Sequence, residues 1–252
     1  MSLRKVALIT GASAGFGAAI AKRLANEGYA LILMARRADK LSELAAHLGA
    51  PTHLISCDLR DEAAVRAAIA NIPAAFASVD VLVNNAGLAL GLEPAHKADW
   101  NDWQQMIDTN CTALALMTRL ILPGMVERQK GHVITMGSIA GAYAYPGGNA
   151  YGATKAFVEQ FARNLRADVL GSGVRVTNIE PGLVGGSEFS LVRFKGDAEK
   201  AASIYKGANA LQPEDIAESV AWVLAQPAHV NINSIELMPV SQAHGPLAIH
   251  RQ

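Results

Sequence analysis

Lys5-Val-Ala-Leu-Ile-Thr-Gly-Ala-Ser-Ala-Gly-Phe-Gly17 decides the architecture. Val6 to Ile9 form a short aliphatic run with β-branched members, which predicts a strand over Lys5 to Thr10 that ends at Gly11. From Gly15 to Glu27 the apolar side chains Phe16, Ile20 and Leu24 recur every fourth position, and Gly28 supplies a stop, so a helix follows the turn at once. Between strand and helix the glycines Gly11, Gly15 and Gly17 allow close approach of a ligand to the backbone. The helix start offers unpaired N–H groups and the positive end of its dipole, an arrangement suited to phosphate. The spacing is G-x-x-x-G-x-G rather than the commoner G-x-G-x-x-G.

Outward from this unit the alternation repeats. Ala30 to Ala35, His53 to Cys57, Val79 to Val83, His132 to Met136, Val174 to Ile179 and Ile232 to Met238 read as strands. Helical patterns lie between them, near Asp61 to Ala70, over Trp100 to Arg128 with Pro123 as its candidate break, over Ala150 to Leu170, and from Pro213 onward. Parallel strands need crossover connections, and nearly continuous apolar strands need both faces covered. The expectation is an α/β chain with a parallel sheet and helices on both faces. No proline- or serine-rich linker interrupts the 252 residues, so one domain is expected. Lys plus Arg and Asp plus Glu balance at 22 each, which gives no electrostatic reason to expect nucleic acid or an anionic membrane. Cys57 and Cys111 are far apart and lack metal-ligand spacing, so two buried, reduced thiols and no metal are expected. The apolar run after Lys5 is too short for a signal peptide, and no stretch reaches about 18 uninterrupted apolar residues; a soluble, cytoplasmic protein is expected.

The second strand ends in Ala35-Arg36-Arg37, where NAD-selective sites commonly carry a carboxylate for the ribose hydroxyls. Two guanidinium groups suit a 2′-phosphate instead, through paired N–H donors, and Ser13 in the glycine turn can add a hydrogen bond. This predicts NADP(H) rather than NAD(H).

Tyr151 and Lys155 stand four residues apart on one helix face. A free phenol has a pKa of about 10, and lowering it to about 7 takes about 4 kcal/mol. One ammonium about 4 Å away at an effective dielectric of about 20 supplies roughly that amount. Ser138 ends the preceding strand, where its hydroxyl can hold a substrate oxygen beside Tyr151. Asn110 lies in a helix, where its amide can serve a relay water. Asn84-Asn85-Ala86-Gly87 and Pro181-Gly182 follow further strand ends, the edge at which open α/β sheets bind ligands.

Together, TGASAGFG (Thr10–Gly17), NNAG (Asn84–Gly87), Ser138, YGATK (Tyr151–Lys155) and PG (Pro181–Gly182) resemble the short-chain dehydrogenase/reductase family, in its order and over nearly the whole chain. The resemblance implies a single-domain, doubly wound Rossmann-type sheet of seven parallel strands and a catalytic set of Asn110, Ser138, Tyr151 and Lys155. It implies cofactor contacts from Gly11, Ser13, Gly15, Phe16 and Gly17, from Arg36, Arg37 and Asp58, from Asn84 and Gly87, from Tyr151 and Lys155, and from Pro181, Gly182 and Val184. It also implies a substrate-covering loop over about residues 183–212 and a homotetramer built on the two long helices.

Three stretches narrow the resemblance: NNAGLALGLEPAHKA (Asn84–Ala98), IEPGLVGGSEFSLVRFKGD (Ile179–Asp197) and PAHVNINSIELMPVSQ (Pro227–Gln242). They are similar to bacterial NADP-dependent 3-hydroxy acid dehydrogenases, which include serine and allo-threonine dehydrogenases, and to malonic semialdehyde and sulfoacetaldehyde reductases. The implied substrate is a small hydroxy acid such as serine, allo-threonine or 3-hydroxypropionate, or its carbonyl form. Sulfoacetaldehyde or another small aldehyde or ketone is the alternative. An anionic substrate needs a cation, and Arg193 and Lys195 are the candidates, with Tyr145 as a pocket wall beside Ser138 and Tyr151. His244, His250 and Arg251 belong to a C-terminal tail from about residue 240. An NAD-dependent enzyme and a non-catalytic NADP(H) sensor are the competing readings; the second is free to lose Tyr151 or Lys155, and both residues are present.

Overall fold

The computed structural model describes residues 4–244; His250 and Arg251 lie outside the described residues. Seven parallel strands form one sheet: β1 (Val6–Thr10), β2 (Ala30–Ala35), β3 (Thr52–Ser56), β4 (Val79–Asn84), β5 (Gly131–Met136), β6 (Val174–Pro181) and β7 (Ser234–Leu237), in the order β3-β2-β1-β4-β5-β6-β7. The order reverses between β1 and β4, which opens a crevice at the carboxyl ends of those strands.

Strand alternation divides the core in two. In β1, Ala7 and Ile9 point to one face, where they meet Ile20 and Leu24 of α1 (Gly15–Asn26) and Ile216 and Val220 of α9 (Pro213–Ala225). Val6 and Leu8 point to the other, against Met117 and Ile121 of α5 (Ala113–Glu127) and Leu165 of α6 (Asn149–Asp168). Each such fully buried aliphatic side chain contributes about 1.5–3 kcal/mol. Two-sided burial is why these strands read as unbroken apolar runs. Helices α2 (Ala38–Ala46) and α3 (Glu62–Ala70) make the crossovers on either side of β3.

The long helix differs from expectation. It is unbroken at Pro123, which lies inside α5, and is interrupted instead between α4 (Trp100–Ile107) and α5 by a π-helical turn over Asp108–Thr112. Trp100–Glu127 is long and apolar enough to cross a membrane by length and composition. In this fold its Met117, Ile121 and Met125 are buried against the sheet. The segment after β6 also differs from a plain loop, since it folds into two short helices, α7 (Phe189–Arg193) and α8 (Ala198–Ser203).

Candidate active site

A cleft of about 1340 Å3 runs along the carboxyl ends of the strands, from Arg36 and Asp58 at one end to Tyr145 and Arg193 at the other. Its floor begins with the glycine turn. Gly11 has a positive φ of 66°, and a Cβ there would lie 2.9 Å from the Ala86 backbone. A Cβ on Gly17 would lie 2.4 Å from the Gly11 carbonyl oxygen. Helix α1 starts at Gly15, with Ala14 at the N-cap offering no side-chain cap, and has no acidic residue in its first turn. Its leading N–H groups therefore face the cleft unneutralised, and a pyrophosphate fits them. Gly17 does not line the cleft itself; it lets the helix pack onto the turn.

Arg36, Arg37 and Ser13 all line the cleft beyond the turn. Arg37 donates to Ser13 Oγ at 3.2 Å and grips Glu188 with both terminal nitrogens, at 3.0 and 2.8 Å. Asp58 pairs with Arg60 at 2.6 Å, which pulls its carboxyl down to about 2. Arg36 and Arg37 supply cations for a phosphate, and Asp58 is an anionic acceptor nearby for an adenine amine. The donor set fits a phosphorylated dinucleotide. Cys57 and Cys111 are unpaired but only half-buried, and Cys57 borders this cleft. Burial lifts the Cys111 thiol to about 11 and keeps it protonated.

At the end of β4 the two asparagines part company. Asn84 was expected along the cofactor, yet its side chain is buried away from the cleft and donates to Thr118 Oγ1 at 2.9 Å. Its neighbour Asn85 lines the cleft and clamps the glycine turn by donating to the Thr10 carbonyl at 2.8 Å. Adjacent residues at a strand end face opposite ways, and sequence spacing alone does not say which one faces the ligand. Gly87 lines the cleft with open access to Lys155; a Cβ there would stand 3.5 Å from its Nζ.

Asn110 sits in the π-turn, buried, with its amide bonded to the protein. Its Oδ1 accepts from the Leu88 N–H at 2.9 Å, and its Nδ2 donates to the Leu88 carbonyl at 2.9 Å and to Thr154 Oγ1 at 3.0 Å. The side chain thus pins the β4 loop to α6. A π-turn displaces one residue of a helix toward its surroundings, a device frequent at functional sites.

Ser138, Tyr151 and Lys155 meet where β5 ends and α6 begins, and all three line the cleft. Ser138 Oγ accepts from the Ala140 N–H at 3.1 Å. Lys155 Nζ donates to the Met136 carbonyl at 2.7 Å and lies 5.8 Å from the centroid of the Tyr151 ring. Burial lowers Lys155 to about 8. Burial also pushes Tyr151 up to about 12, with the Ser138 hydroxyl and then Arg193 pulling the other way. The expected acidification of the phenol by Lys155 is not seen in the protein alone: desolvation prevails, and the groups that oppose it are Ser138 and Arg193. Tyr151 is held protonated.

Arg193 and Lys195 separate cleanly. Lys195 is a surface charge paired with Asp102 at 2.8 Å, away from the cleft. Arg193 lines the cleft, donating to Tyr145 Oη at 2.8 Å and to the Gly91 carbonyl at 3.2 Å. Its guanidinium carbon stands 5.5 Å from the ring centroids of both Tyr145 and Tyr151. Pro181, Gly182 and Val184 close the cleft at the end of β6, and Val184 bridges to Leu211. His244 also lines it, stacked on Tyr143 with ring centroids 3.9 Å apart. Sequence reading missed Asn85, Arg60, Glu188 and Gln242. Gln242 accepts from the Leu183 N–H at 2.7 Å, and no local motif connects residues so far apart in the chain.

The short chain dehydrogenase pattern matches residues 5–193. The NADP-dependent 3-hydroxy acid dehydrogenase of Salmonella typhi is 56% identical over 246 residues, 98% of this chain and 99% of that protein. The serine 3-dehydrogenase of Rhizobium radiobacter is 49% identical over 245 residues, 97% of this chain and 98% of that one. The closed form of a serine dehydrogenase complexed with NADP+ superposes with a TM-score of 0.96 at 55% identity, covering 98% of this chain and 100% of its own. With the sheet order, the glycine turn and the Ser138–Tyr151–Lys155 grouping, these likenesses reach one conclusion: the chain belongs to the short-chain dehydrogenase family.

Proposed function

We propose that this chain is an NADP(H)-dependent dehydrogenase that interconverts a small 3-hydroxy acid, such as serine, allo-threonine or 3-hydroxypropionate, with its carbonyl form. One observation carries the substrate class: a guanidinium, that of Arg193, stands 5.5 Å from the ring of Tyr151 inside the same cleft. A carboxylate one carbon beyond the reacting carbon would meet the N–H donors of Arg193, two of which are engaged among the described residues, by Tyr145 and Gly91. The relatives named for 3-hydroxy acids and for serine support the same reading.

Ser138 holds the substrate oxygen and Tyr151 exchanges the proton with it. Protonated Tyr151 is ready to donate to a carbonyl in the reducing direction. In oxidation it must first give up its proton, and Lys155 stabilises the phenolate as it forms. When bound, NADP(H) supplies the nicotinamide that accepts or returns the hydride, and its oxidised ring adds positive charge near the phenol. Arg36 and Arg37, with Ser13, hold the 2′-phosphate, and Asp58 faces the adenine. Residues 183–212 cover the substrate. Asn110 acts by fixing Leu88 and α6.

The reading is tested by following NADPH absorbance with serine, allo-threonine, 3-hydroxypropionate, malonic semialdehyde and sulfoacetaldehyde. Turnover fastest with a carboxylate substrate is expected; turnover of sulfoacetaldehyde alone moves the assignment to a sulfonate reductase, and none at all removes the substrate class. Arg36→Asp is expected to weaken NADPH binding by about 2 kcal/mol, the scale of a charge-assisted hydrogen bond. We further infer a cytoplasmic homotetramer. Large apolar side chains left exposed on the long helices, Trp100 and Ile107 on α4 and Phe157 on α6, support association through those faces, and light scattering measures it.

A further inference from the structure

Helix α7 (Phe189–Arg193) touches both ends of the cleft. Glu188, the residue that caps its start, takes both terminal nitrogens of Arg37, whose Nη2 also donates to Ser13 of the glycine turn. At its other end Arg193 reaches Tyr145 and Gly91 and stands beside Tyr151. Between them Phe189 packs edge-on against Tyr151, with ring centroids 5.8 Å apart. The preceding Ser187 lies against the turn, for a Cβ on Gly15 would come within 3.2 Å of the Ser187 Cβ. Five residues of helix rise only about 7 Å, so α7 is a short link between these contacts.

We infer that Glu188 is a positioning residue: paired with Arg37, it latches α7 across the cleft and thereby sets Arg193 and Phe189 against Tyr151. The inference rests on the reading of the cleft as an NADP(H) site for anionic substrates, and adds that the arginine facing the cofactor phosphate also anchors the helix that carries the substrate cation. An exposed ion pair is ordinarily worth little, but this one has the bidentate fork geometry in which such pairs do contribute, and Ser13 adds a third partner. Arg37 has donors to spare for a phosphate while it keeps Glu188, because a guanidinium carries five N–H groups.

Glu188 is exposed, so Glu188→Gln is expected to fold normally. Amide hydrogen exchange over residues 186–196, measured with and without NADPH, should quicken about fivefold in Glu188→Gln and in Arg37→Gln, and no further in the double variant. In Glu188→Gln the KM for malonic semialdehyde should rise about fivefold while kcat changes less than twofold, and Glu188→Asp should recover most of the loss. Unchanged exchange overturns the inference. So does faster exchange with an unaltered KM, since the latch would then not place Arg193. A wild-type protein that binds NADH as tightly as NADPH sinks the cofactor reading instead; the exchange comparison without nucleotide still decides the latch.

Discussion

Tyr151 is buried so completely that desolvation dominates its chemistry, and that fact orders the predictions for single residues. With its hydroxyl held protonated at about 12 and Lys155 lowered to about 8, the resting site suits proton donation to a carbonyl. As pH rises through about 8, Lys155 loses its charge, and the phenolate left after donation loses its stabilising neighbour. The kcat/KM for carbonyl reduction is therefore expected to hold steady below about pH 8 and to fall above it, read in a pH–rate profile of the free enzyme. Lys155→Arg stays charged and should remove that limb; a profile unchanged by the substitution would assign the ionisation elsewhere. Tyr151→Phe should lower turnover at least about a hundredfold while leaving NADPH fluorescence titrations intact, which separates the enzyme from a nucleotide sensor. Much of this site was legible in the sequence because Tyr151 and Lys155 share one helix face and Ser138 closes a strand. What was not legible is environmental. The depth of burial that reverses the expected phenol shift, and the choice of Asn85 over Asn84, depend on packing from elements far away in sequence.

At the scale of elements, the glycine turn shows how strictly backbone approach constrains side chains. A methyl group on Gly17 would stand 2.4 Å from the Gly11 carbonyl oxygen and 2.9 Å from Ala12 Cα, both backbone atoms that cannot rotate away. Gly17→Ala should cost about 1–3 kcal/mol through overpacking and pull α1 off the turn, so NADPH affinity should fall together with the denaturation midpoint. The strands and α1 were readable for the same reason they are stable: two-sided burial forces unbroken apolar runs, and an amphipathic helix repeats its apolar face. Helices α7 and α8 left no such signal. Gly185 and Gly186 stand just before α7 and Gly196 just after it, and five- and six-residue helices are too short to show a period. Pro123 looked like a break because proline lacks an N–H, yet α5 continues through it and the discontinuity falls at the π-turn that carries Asn110. That turn has its own test. Asn110→Ala strands the Leu88 N–H and carbonyl without partners, and should cost about 1–3 kcal/mol in urea denaturation while lowering turnover through a loosened β4 loop.

At the scale of the whole molecule, one contribution to acid sensitivity comes from a group remote from the cleft. His132 lies inside the sheet on β5, with Nε2 2.8 Å from Thr177 Oγ1 on β6 and Nδ1 without a partner among the described residues. Burial, and then the nearby Arg175, lower its pKa to about 3. In the unfolded chain the imidazole returns to about 6.5. The folded state therefore binds fewer protons than the unfolded state between those values. Stability is whole above about pH 6.5 and is lost progressively as pH falls toward 3. By pH 5 the loss from this one residue is about 2 kcal/mol, since each pH unit below the unfolded value costs about 1.4 kcal/mol until the folded value is reached. His132→Leu keeps the volume and removes the titration, while Thr177 retains its hydrogen bond to the Ile232 carbonyl. Urea midpoints for wild type and variant should accordingly converge or cross as pH falls from 7 to about 5, with the wild type losing about 2 kcal/mol more. Parallel curves over that interval would show that His132 is protonated in the folded sheet, and would place the acid sensitivity among the surface ion pairs instead.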